Sequence, residues 1–328
     1  MTRPLRMGVI GVGNFGERHV RAYARQPDVS IVGIVDRDPD RARLIAVRWG
    51  IENWFEDSRR LFRESDPDGV SVVTPGEHHL EPTLLALEHG CAVLLEKPVA
   101  MSSGDVVAIE AAVAESTAFV QPAHILRFAA PYIALRGRVR SGALGRLLAI
   151  SSSRDRPRSH SVLFPGIHPA FMTTVHDIDL ALWITGSRAV RVTAHERGVN
   201  GSGQPHLVWA QVEAAAGSVW SLRTSWVLPD TAQLADRLEV YGTDGAIVVD
   251  LKPTVAMFGA TNETIDHELT PETHAGALDA EIGHFCACIR HGVASSVITL
   301  AEAASGIQIA EAIMASASQG GVPVELDT

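Results

Sequence analysis

Three glycines near the N-terminus, Gly11, Gly13 and Gly16, stand between a short apolar run and a segment with helical spacing. The run from Met7 to Ile10 has the length of a β-strand, and Glu17 to Gln26 continues as a helix. In such a turn the first glycine permits the sharp bend, the second lets the backbone approach a phosphate, and the third allows the helix to pack on the strand. The pattern predicts that the pyrophosphate of a dinucleotide binds at the helix N-terminus.

An acidic residue, Asp36, closes a second apolar run twenty residues after Gly16. A carboxylate at this place accepts hydrogen bonds from both ribose hydroxyls of NAD and repels the 2'-phosphate of NADP. We therefore expect NAD as the cofactor, with Asn14 and Phe15 of the glycine turn also in contact with it. NADP stays open, because Arg37 is able to stack on adenine or to neutralise a 2'-phosphate. The alternative for Arg37 is a solvated charge on the next helix.

Polar residues also follow two later predicted strands, at the edge where open parallel sheets bind their ligands. Lys97 at this edge would hydrogen-bond a substrate hydroxyl and favour its alkoxide-like state. The alternative is a surface lysine whose charge pairs with Glu96. The cofactor contacts expected at this edge are Thr74, Pro75, His79, Glu96 and Lys97.

A further candidate site lies on the predicted helix Ala170 to Ile184. Its three-and-four spacing puts His176 and Asp179 on one face with Met172 and Trp183, which suggests the wall of a substrate pocket. His176 is suited to take a hydroxyl proton and return it, with Asp179 orienting the ring. A structural pair of His176 and Asp179, tying the helix to a neighbour, is the alternative.

In the first third of the chain predicted strands and helices alternate, as a doubly wound parallel sheet requires. These elements must position the candidate residues. After about residue 123 longer runs with period two predict an open, mostly antiparallel sheet. We predict an α/β protein with a Rossmann domain over residues 1–123 and an α+β domain for substrate and subunit contacts over residues 124–328. The strands of the first domain are expected at Leu5 to Ile10, Val29 to Val35, Gly69 to Val73, Ala92 to Leu95 and Ala118 to Val120.

Composition limits the classes of partner. The chain has 328 residues, of which 46% are hydrophobic, and a formal net charge of −10, which argues against a nucleic-acid surface. No apolar stretch approaches the roughly twenty residues of a membrane span, and the N-terminus lacks the features of a signal peptide. Three cysteines provide neither a disulfide framework nor a four-ligand zinc site. We expect a cytoplasmic protein, without a metal, that binds small molecules.

Four motifs occur in the order and spacing of a known family: Gly11-x-Gly13-x-x-Gly16, Thr74-Pro75-x-x-x-His79, Glu96-Lys97-Pro98 and His176-Asp177-Ile178-Asp179. With them the chain resembles the glucose-fructose oxidoreductase and inositol dehydrogenase (Gfo/Idh/MocA) family over essentially its whole length. The resemblance implies NAD(P)-linked oxidation or reduction of a secondary alcohol or ketone on a sugar, polyol or sugar derivative. It implies that Lys97 contacts substrate and cofactor ribose, and it favours His176 as the acid and base.

One position departs from the family pattern. Inositol dehydrogenase-like members carry an aspartate four residues before the histidine, where this chain has Met172. A thioether cannot share a proton with His176, so the resemblance does not extend to a myo-inositol substrate. Two other functions stay open: an NAD-retaining glycosidase of the same superfamily, or a non-catalytic nucleotide-binding sensor. One of His168, Thr173 or Thr174 would supply the missing polar contact, and the sequence does not choose among them.

Two further expectations concern the second domain. Arg154 and Arg156 alternate with Arg158 after a predicted strand and would suit a phosphate or carboxylate on the substrate, although loop charges or subunit salt bridges explain them equally well. The sheet is expected to expose an apolar outer face that a second subunit covers, giving a homodimer or homotetramer. The residues that indicate this face are Trp209, Val212, Val219 and Trp226.

Overall fold

The computed structural model describes residues 3–199, 203–232, 235–250, 254–259, 263–266 and 271–326. The chain divides into two compact units. The first consists of the residues up to Phe128 together with Ala275–Ala304, and the second of Ala129–His274 together with the residues from Ser305 onward.

The helices and strands follow in chain order. Up to Phe128 they are β1 (Leu5–Ile10), α1 (Asn14–Ala24), β2 (Val29–Val35), α2 (Pro39–Trp49), β3 (Trp54–Phe55), α3 (Ser58–Ser65), β4 (Gly69–Val72), α4 (Leu80–Glu88), β5 (Ala92–Glu96), α5 (Ser103–Glu115) and β6 (Val120–Ala123). After it they are α6 (Ala130–Arg140), β7 (Leu147–Pro157), α7 (Ser159–Leu163), α8 (Val175–Thr185), β8 (Ala189–Arg197), β9 (Leu207–Ala214), β10 (Val219–Leu228), β11 (Ala235–Gly242), β12 (Gly245–Asp250), β13 (Thr254–Gly259), β14 (Glu263–Asp266), α9 (Pro271–His291), α10 (Leu300–Ser318) and β15 (Val324–Glu325).

The first unit is built on a parallel sheet with the strand order β3-β2-β1-β4-β5-β6. Strand β1 pairs with both β2 and β4, so the order of winding reverses beside it. At such a point the loops after neighbouring strands diverge and leave a crevice for a ligand. The predicted doubly wound sheet is confirmed, and the glycine turn follows β1 at this point.

Helix α9 gives the first unit a segment that the predicted division assigned to the second. The reason is its apolar side, because Leu278, Ile282 and Phe285 are buried in the same core as Met7 and Leu94. Burial of each such side chain contributes about 1.5–3 kcal/mol. By its contacts the first unit ends at Phe128 and takes up the chain again from Ala275 to Ala304, while the predicted domain boundary at residue 123 stays a prediction.

The second unit contains a mixed sheet with the order β14-β13-β12-β11-β7-β10-β9-β8-β15. Strands β7 and β10 pair in parallel, and the other pairs among the described strands are antiparallel. The predicted open, mostly antiparallel sheet is thus confirmed. Among the helices of the described residues, none combines the length and the hydropathy that a membrane span requires.

One face of this sheet mixes exposed apolar side chains with ion pairs. Trp209 is 50% exposed and Val219 is 41% exposed, as expected of an outer face. The prediction was wrong for Val212 and Trp226, because both are fully buried on the other side of their strands. The alternation of side chains along a strand explains the difference. The ion pairs of the exposed face are Arg191–Glu213, Arg223–Asp155 and Arg237–Glu239.

Candidate active site

The three glycines of the turn after β1 have three different surroundings. Gly11 has a φ of +88°, and a Cβ there would lie 2.8 Å from the carbonyl oxygen of Val73. A Cβ at Gly16 would overlap the carbonyl oxygen of Gly11, so α1 packs directly on the turn. A Cβ at Gly13 would meet no atom within 4 Å. The space beside Gly13 therefore suits a phosphate at the N-terminus of α1, where Gly13 has no side chain to cap the helix.

Asp36, at the end of β2, is bonded to the backbone of this turn. Its Oδ2 accepts from the Val12 N–H at 3.0 Å, and its Oδ1 accepts from the Asp38 N–H at 3.0 Å. Arg41 lies 3.4 Å from the same carboxylate, whereas Arg37 is exposed. The turn thus fixes the acid expected to contact the ribose beside the phosphate space.

The contrast between Gly13 and Gly16 gives a prediction. Gly13→Val is expected to fold normally and to bind NADH at least about tenfold more weakly, since its side chain enters only the phosphate space. Gly16→Ala is expected to lose about 1–3 kcal/mol of unfolding free energy, because its Cβ overlaps backbone. Calorimetric titration with NADH and chemical denaturation measure the two effects. Wild-type affinity in Gly13→Val would contradict the assignment of this space.

The segment after β4 is held by a buried histidine. The ring of His79 is 1% exposed, with Nδ1 lying 2.8 Å from the carbonyl oxygen of Pro98 and Nε2 lying 2.8 Å from that of Thr74. A neutral ring donates to one of these oxygens, and the imidazolium donates to both. Burial lowers the pKa of His79, and the two carbonyl acceptors oppose that shift. Pro75, in the same segment, is exposed.

Lys97 follows β5, and its peptide bond to Pro98 is cis. Within residues 91–100, all of which the structure describes, Lys97 alone is partly exposed and the others are buried. The Lys97 N–H donates to Glu96 Oε2 at 3.2 Å. Glu96 Oε1 in turn lies 3.2 Å from Nε2 of His19 on α1. The edge of the sheet thus carries a partly exposed lysine next in sequence to a buried carboxylate.

Sequence reasoning missed the residues that continue this contact into the core. His19 Nδ1 lies 3.1 Å from Ser71 Oγ, and the Tyr23 hydroxyl lies 2.8 Å from the same oxygen. All three side chains are fully buried, and burial raises the pKa of Tyr23 well above its ordinary value. The signal in the sequence was a histidine on the apolar stripe of α1, which Gly16, Val20 and Tyr23 define.

In the second unit a π-helical turn, Ala170–Thr174, leads directly into α8. Such turns are rare and are frequent at functional sites. Met172 and His176, one turn apart, are partly exposed, whereas Asp179 and Trp183 are buried. The four residues predicted to share one face therefore divide into a partly exposed pair and a buried pair.

The three residues considered as substitutes for the family aspartate all have partners within the second unit. Thr173 Oγ1 accepts from Trp226 Nε1 at 3.0 Å, and Thr174 Oγ1 donates to Thr224 Oγ1 at 2.9 Å. His168 contacts Glu196 through Nε2 and accepts the Ala170 N–H through Nδ1. These bonds hold the π-helical turn against its surroundings. That one of the three supplies the missing polar contact stays a prediction.

Arg154 and Arg156 are paired with carboxylates of the same unit. Arg154 is 3% exposed and donates to Asp177 at 2.8 Å and to Asp236 at 2.6 Å, and Arg156 also contacts Asp236. Burial raises the pKa of Asp177 to about 6, although Arg154 opposes the shift. Two guanidiniums thus face two carboxylates, which reduces the positive charge left for an anionic substrate. Binding of such a substrate stays a prediction, and Arg158 is the exposed member of the three.

The doubly wound sheet, the glycine turn and the acidic end of β2 define the first unit as a dinucleotide-binding domain of the Rossmann class. Residues 5–124 match the family model described as "Oxidoreductase family, NAD-binding Rossmann fold", and residues 132–248 match the C-terminal domain of the same family. The chain belongs to the Gfo/Idh/MocA family of oxidoreductases.

Individual relatives agree with this assignment over the full length. The scyllo-inositol 2-dehydrogenase (NAD(+)) of Bacillus subtilis (strain 168) is 26% identical over 100% of this chain and 98% of its own. The crystal structure of myo-inositol 2-dehydrogenase from Lactobacillus plantarum has a TM-score of 0.88 at 21% identity and covers 99% of this chain and 100% of that one. An oxidoreductase from Agrobacterium radiobacter in complex with NAD+, L-tartaric acid and magnesium has a TM-score of 0.87 at 20% identity, covering 98% of each chain. The two structures show a shared fold.

Proposed function

We propose that the protein is an NAD(P)-dependent oxidoreductase that acts on a secondary alcohol or ketone of a sugar, polyol or sugar derivative. The observation that carries the proposal is Lys97, the partly exposed residue of a buried strand end in a domain of the NAD-binding class. The space beside Gly13 and the acid Asp36 support dinucleotide binding by the same unit.

The proposed chemistry divides between the cofactor and the chain. Bound NAD(P) supplies the two-electron acceptor for oxidation of the alcohol. The Lys97 ammonium donates a hydrogen bond to the substrate oxygen and stabilises its alkoxide-like state. His176 takes the hydroxyl proton during oxidation and returns it during reduction. Asp179, buried on the same helix, is proposed to orient that ring.

The cofactor half of the proposal is tested by titrating the cofactor-stripped protein with NADH and then with NADPH. We expect NADH to bind at least about tenfold more tightly, because the Asp36 carboxylate repels a 2'-phosphate. Asp36→Ser is expected to narrow or reverse this preference. The matched control is Asp38→Ser, which leaves Asp36 in place. A wild-type preference for NADPH would assign the selection to Arg37, and binding of neither nucleotide by folded protein would contradict an NAD(P)-dependent function.

The substrate half rests on the names of relatives and on Met172. Two relatives above act on inositols by name. In this chain the partly exposed residue one turn before His176 is a methionine, whose thioether is uncharged and only a weak hydrogen-bond acceptor for a substrate hydroxyl. We therefore propose a carbohydrate-like substrate other than myo-inositol. A screen of polyols and keto-sugars with NAD+ or NADH, read at the absorbance of NADH, tests it.

A glycosidase that retains NAD is the second candidate from the same superfamily. It would release a sugar from a glycoside without added cofactor and without net change in NADH absorbance. NAD that survives purification, together with such activity, would favour it over the dehydrogenase.

We also propose that the protein forms a homodimer or homotetramer through the exposed face of the second unit's sheet. Trp209, Val219 and the half-exposed Tyr241 provide apolar area on strands whose charges are already paired with one another. Burying them against a second copy is favourable, at about 25 cal/mol per Å². A single-subunit mass in solution would contradict this proposal.

A further inference from the structure

We propose that His19 and His79 are positioning residues for Lys97, because two buried imidazoles contact the residues on both sides of that lysine. His19 reaches Glu96, the residue before Lys97, and His79 reaches the carbonyl of Pro98, the residue after it. The proposal replaces the expected cofactor contacts of Glu96 and His79 with a role inside the protein. It rests on the proposed function of Lys97 in contacting the substrate oxygen.

The hydrogen bonds on the His19 side have one consistent direction. The Lys97 N–H donates to Glu96 Oε2, and Glu96 Oε1 faces His19 Nε2. The tautomer whose Nε2–H donates to Glu96 Oε1 has an Nδ1 that accepts from the Ser71 hydroxyl, so it satisfies both contacts. Ser71 Oγ then accepts from the Tyr23 hydroxyl, which burial keeps protonated by raising its pKa. Every polar side-chain group in this series therefore has a partner of the right kind.

The hydrogen bonds that connect Tyr23, Ser71, His19 and Glu96 depend on one another because these side chains are buried. Tyr23, Ser71 and His19 have no exposed surface, and Glu96 is 7% exposed. A buried polar group that loses its partner retains its full desolvation penalty, so breaking one bond disfavours the whole arrangement. His19 also lies on α1, the helix that begins at the glycine turn. The same helix that is proposed to receive the phosphate thus anchors the carboxylate before Lys97.

His79 provides the second anchor, on the other side of the lysine. Its ring lies 2.8 Å from the carbonyl oxygen of Thr74, in the segment after β4, and 2.8 Å from that of Pro98, in the segment after β5. These strands are neighbours in the sheet. The buried ring therefore connects the two segments that follow them.

Lys97 needs such support because its side chain is long. A lysine ammonium stands on a flexible four-carbon stem, so the direction in which it points depends on the backbone that carries it. A displacement of about 1 Å at a reacting group costs about 10²-fold in rate. Contacts at Glu96 and at Pro98, the residues before and after Lys97, restrict that displacement. The two histidines are expected to act on turnover through Lys97 and to contact neither substrate nor cofactor.

Hydrogen–deuterium exchange at the amides of Lys97 and Val99 tests the proposal in the full-length protein. Pro98 between them has no amide, so a short peptide isolates these positions. His19→Ala and His79→Ala are expected to speed exchange there by roughly 10- to 100-fold, as the loss of a buried hydrogen bond requires. Calorimetric affinity for NADH is expected to change by less than about threefold. The matched control is His89→Ala, an exposed histidine of the same unit that stacks on Phe62 and is expected to leave this exchange unchanged.

Conservative variants separate positioning from general damage to the fold. His19→Gln keeps an N–H donor toward Glu96 and is expected to restore slow exchange, whereas His19→Ala does not. With an active substrate, kcat of the alanine variants is expected to fall roughly 10- to 100-fold at nearly constant KM. If His19→Ala does not fold, Ser71→Ala removes only the hydroxyl that bonds the ring and is expected to speed exchange in the same way.

Wild-type exchange at both amides in folded His19→Ala and His79→Ala would overturn the proposal, as would failure of His19→Gln to differ from His19→Ala. The exchange measurement needs no turnover. A wild-type protein without dehydrogenase activity would therefore refute the proposed function while the exchange data still decide whether the histidines position Lys97.

Discussion

Replacing Lys97 by methionine is expected to lower kcat on the best substrate of the screen by about 10³-fold. Methionine keeps most of the length of the side chain but removes the charge and all three N–H donors. The variant therefore cannot stabilise an alkoxide-like oxygen. Affinity for NADH is expected to fall much less than kcat, because the variant loses the expected contact of Lys97 with the cofactor ribose but leaves the glycine turn and Asp36 unaltered. Steady-state kinetics and calorimetry measure the two quantities.

The chain offers a close control for this experiment. It contains two lysines, Lys97 and Lys252. Lys252→Met makes the same chemical change at a residue that the proposed mechanism does not use, and it is expected to leave kcat within about twofold. Undiminished turnover in Lys97→Met would remove Lys97 from the mechanism and with it the main support for the proposed function.

Replacing His176 by glutamine is expected to lower kcat by about 10²–10⁴-fold, the usual range for loss of a positioned acid or base. The wild-type profile of kcat/KM against pH should rise with pH for oxidation, because the base must be deprotonated, and should fall with pH for reduction. The variant is expected to lack this limb in both directions. His195→Gln, an exposed histidine of the second unit, is the control. A pH limb that survives in His176→Gln would assign the proton transfer to another group.

Much of the first unit was predictable because its signals are local. β1 and β2 have the predicted bounds. Their apolar periods and glycines act within a few residues of one another. β3 was missed because two residues are too few to show a period. β6 begins two residues later and ends three residues later than expected, because its pairing with β5 decides its position.

The features of the candidate site also divide into those that the sequence predicts and those that it does not. The glycine turn follows from spacing, because each glycine acts through its own backbone. The contacts of His19, Ser71 and Glu96 do not, since they join three elements that are more than 20 residues apart and meet only in the folded sheet. The partners of Arg154 were equally invisible, because Asp236 is opposed to it by strand register.

The return of α9 to the first unit has a consequence for synthesis of the chain on the ribosome. The core around Met7 and Leu94 is completed by Leu278, Ile282 and Phe285, which are translated after nearly all of the second unit. Until then the nascent first unit exposes the apolar patch that α9 will cover. The core of the first unit is therefore complete only after the C-terminal part of the chain has been synthesised. Until then chaperones or a bound dinucleotide would stabilise the partly folded unit. The first unit thus completes its folding late, although most of its sequence is translated first.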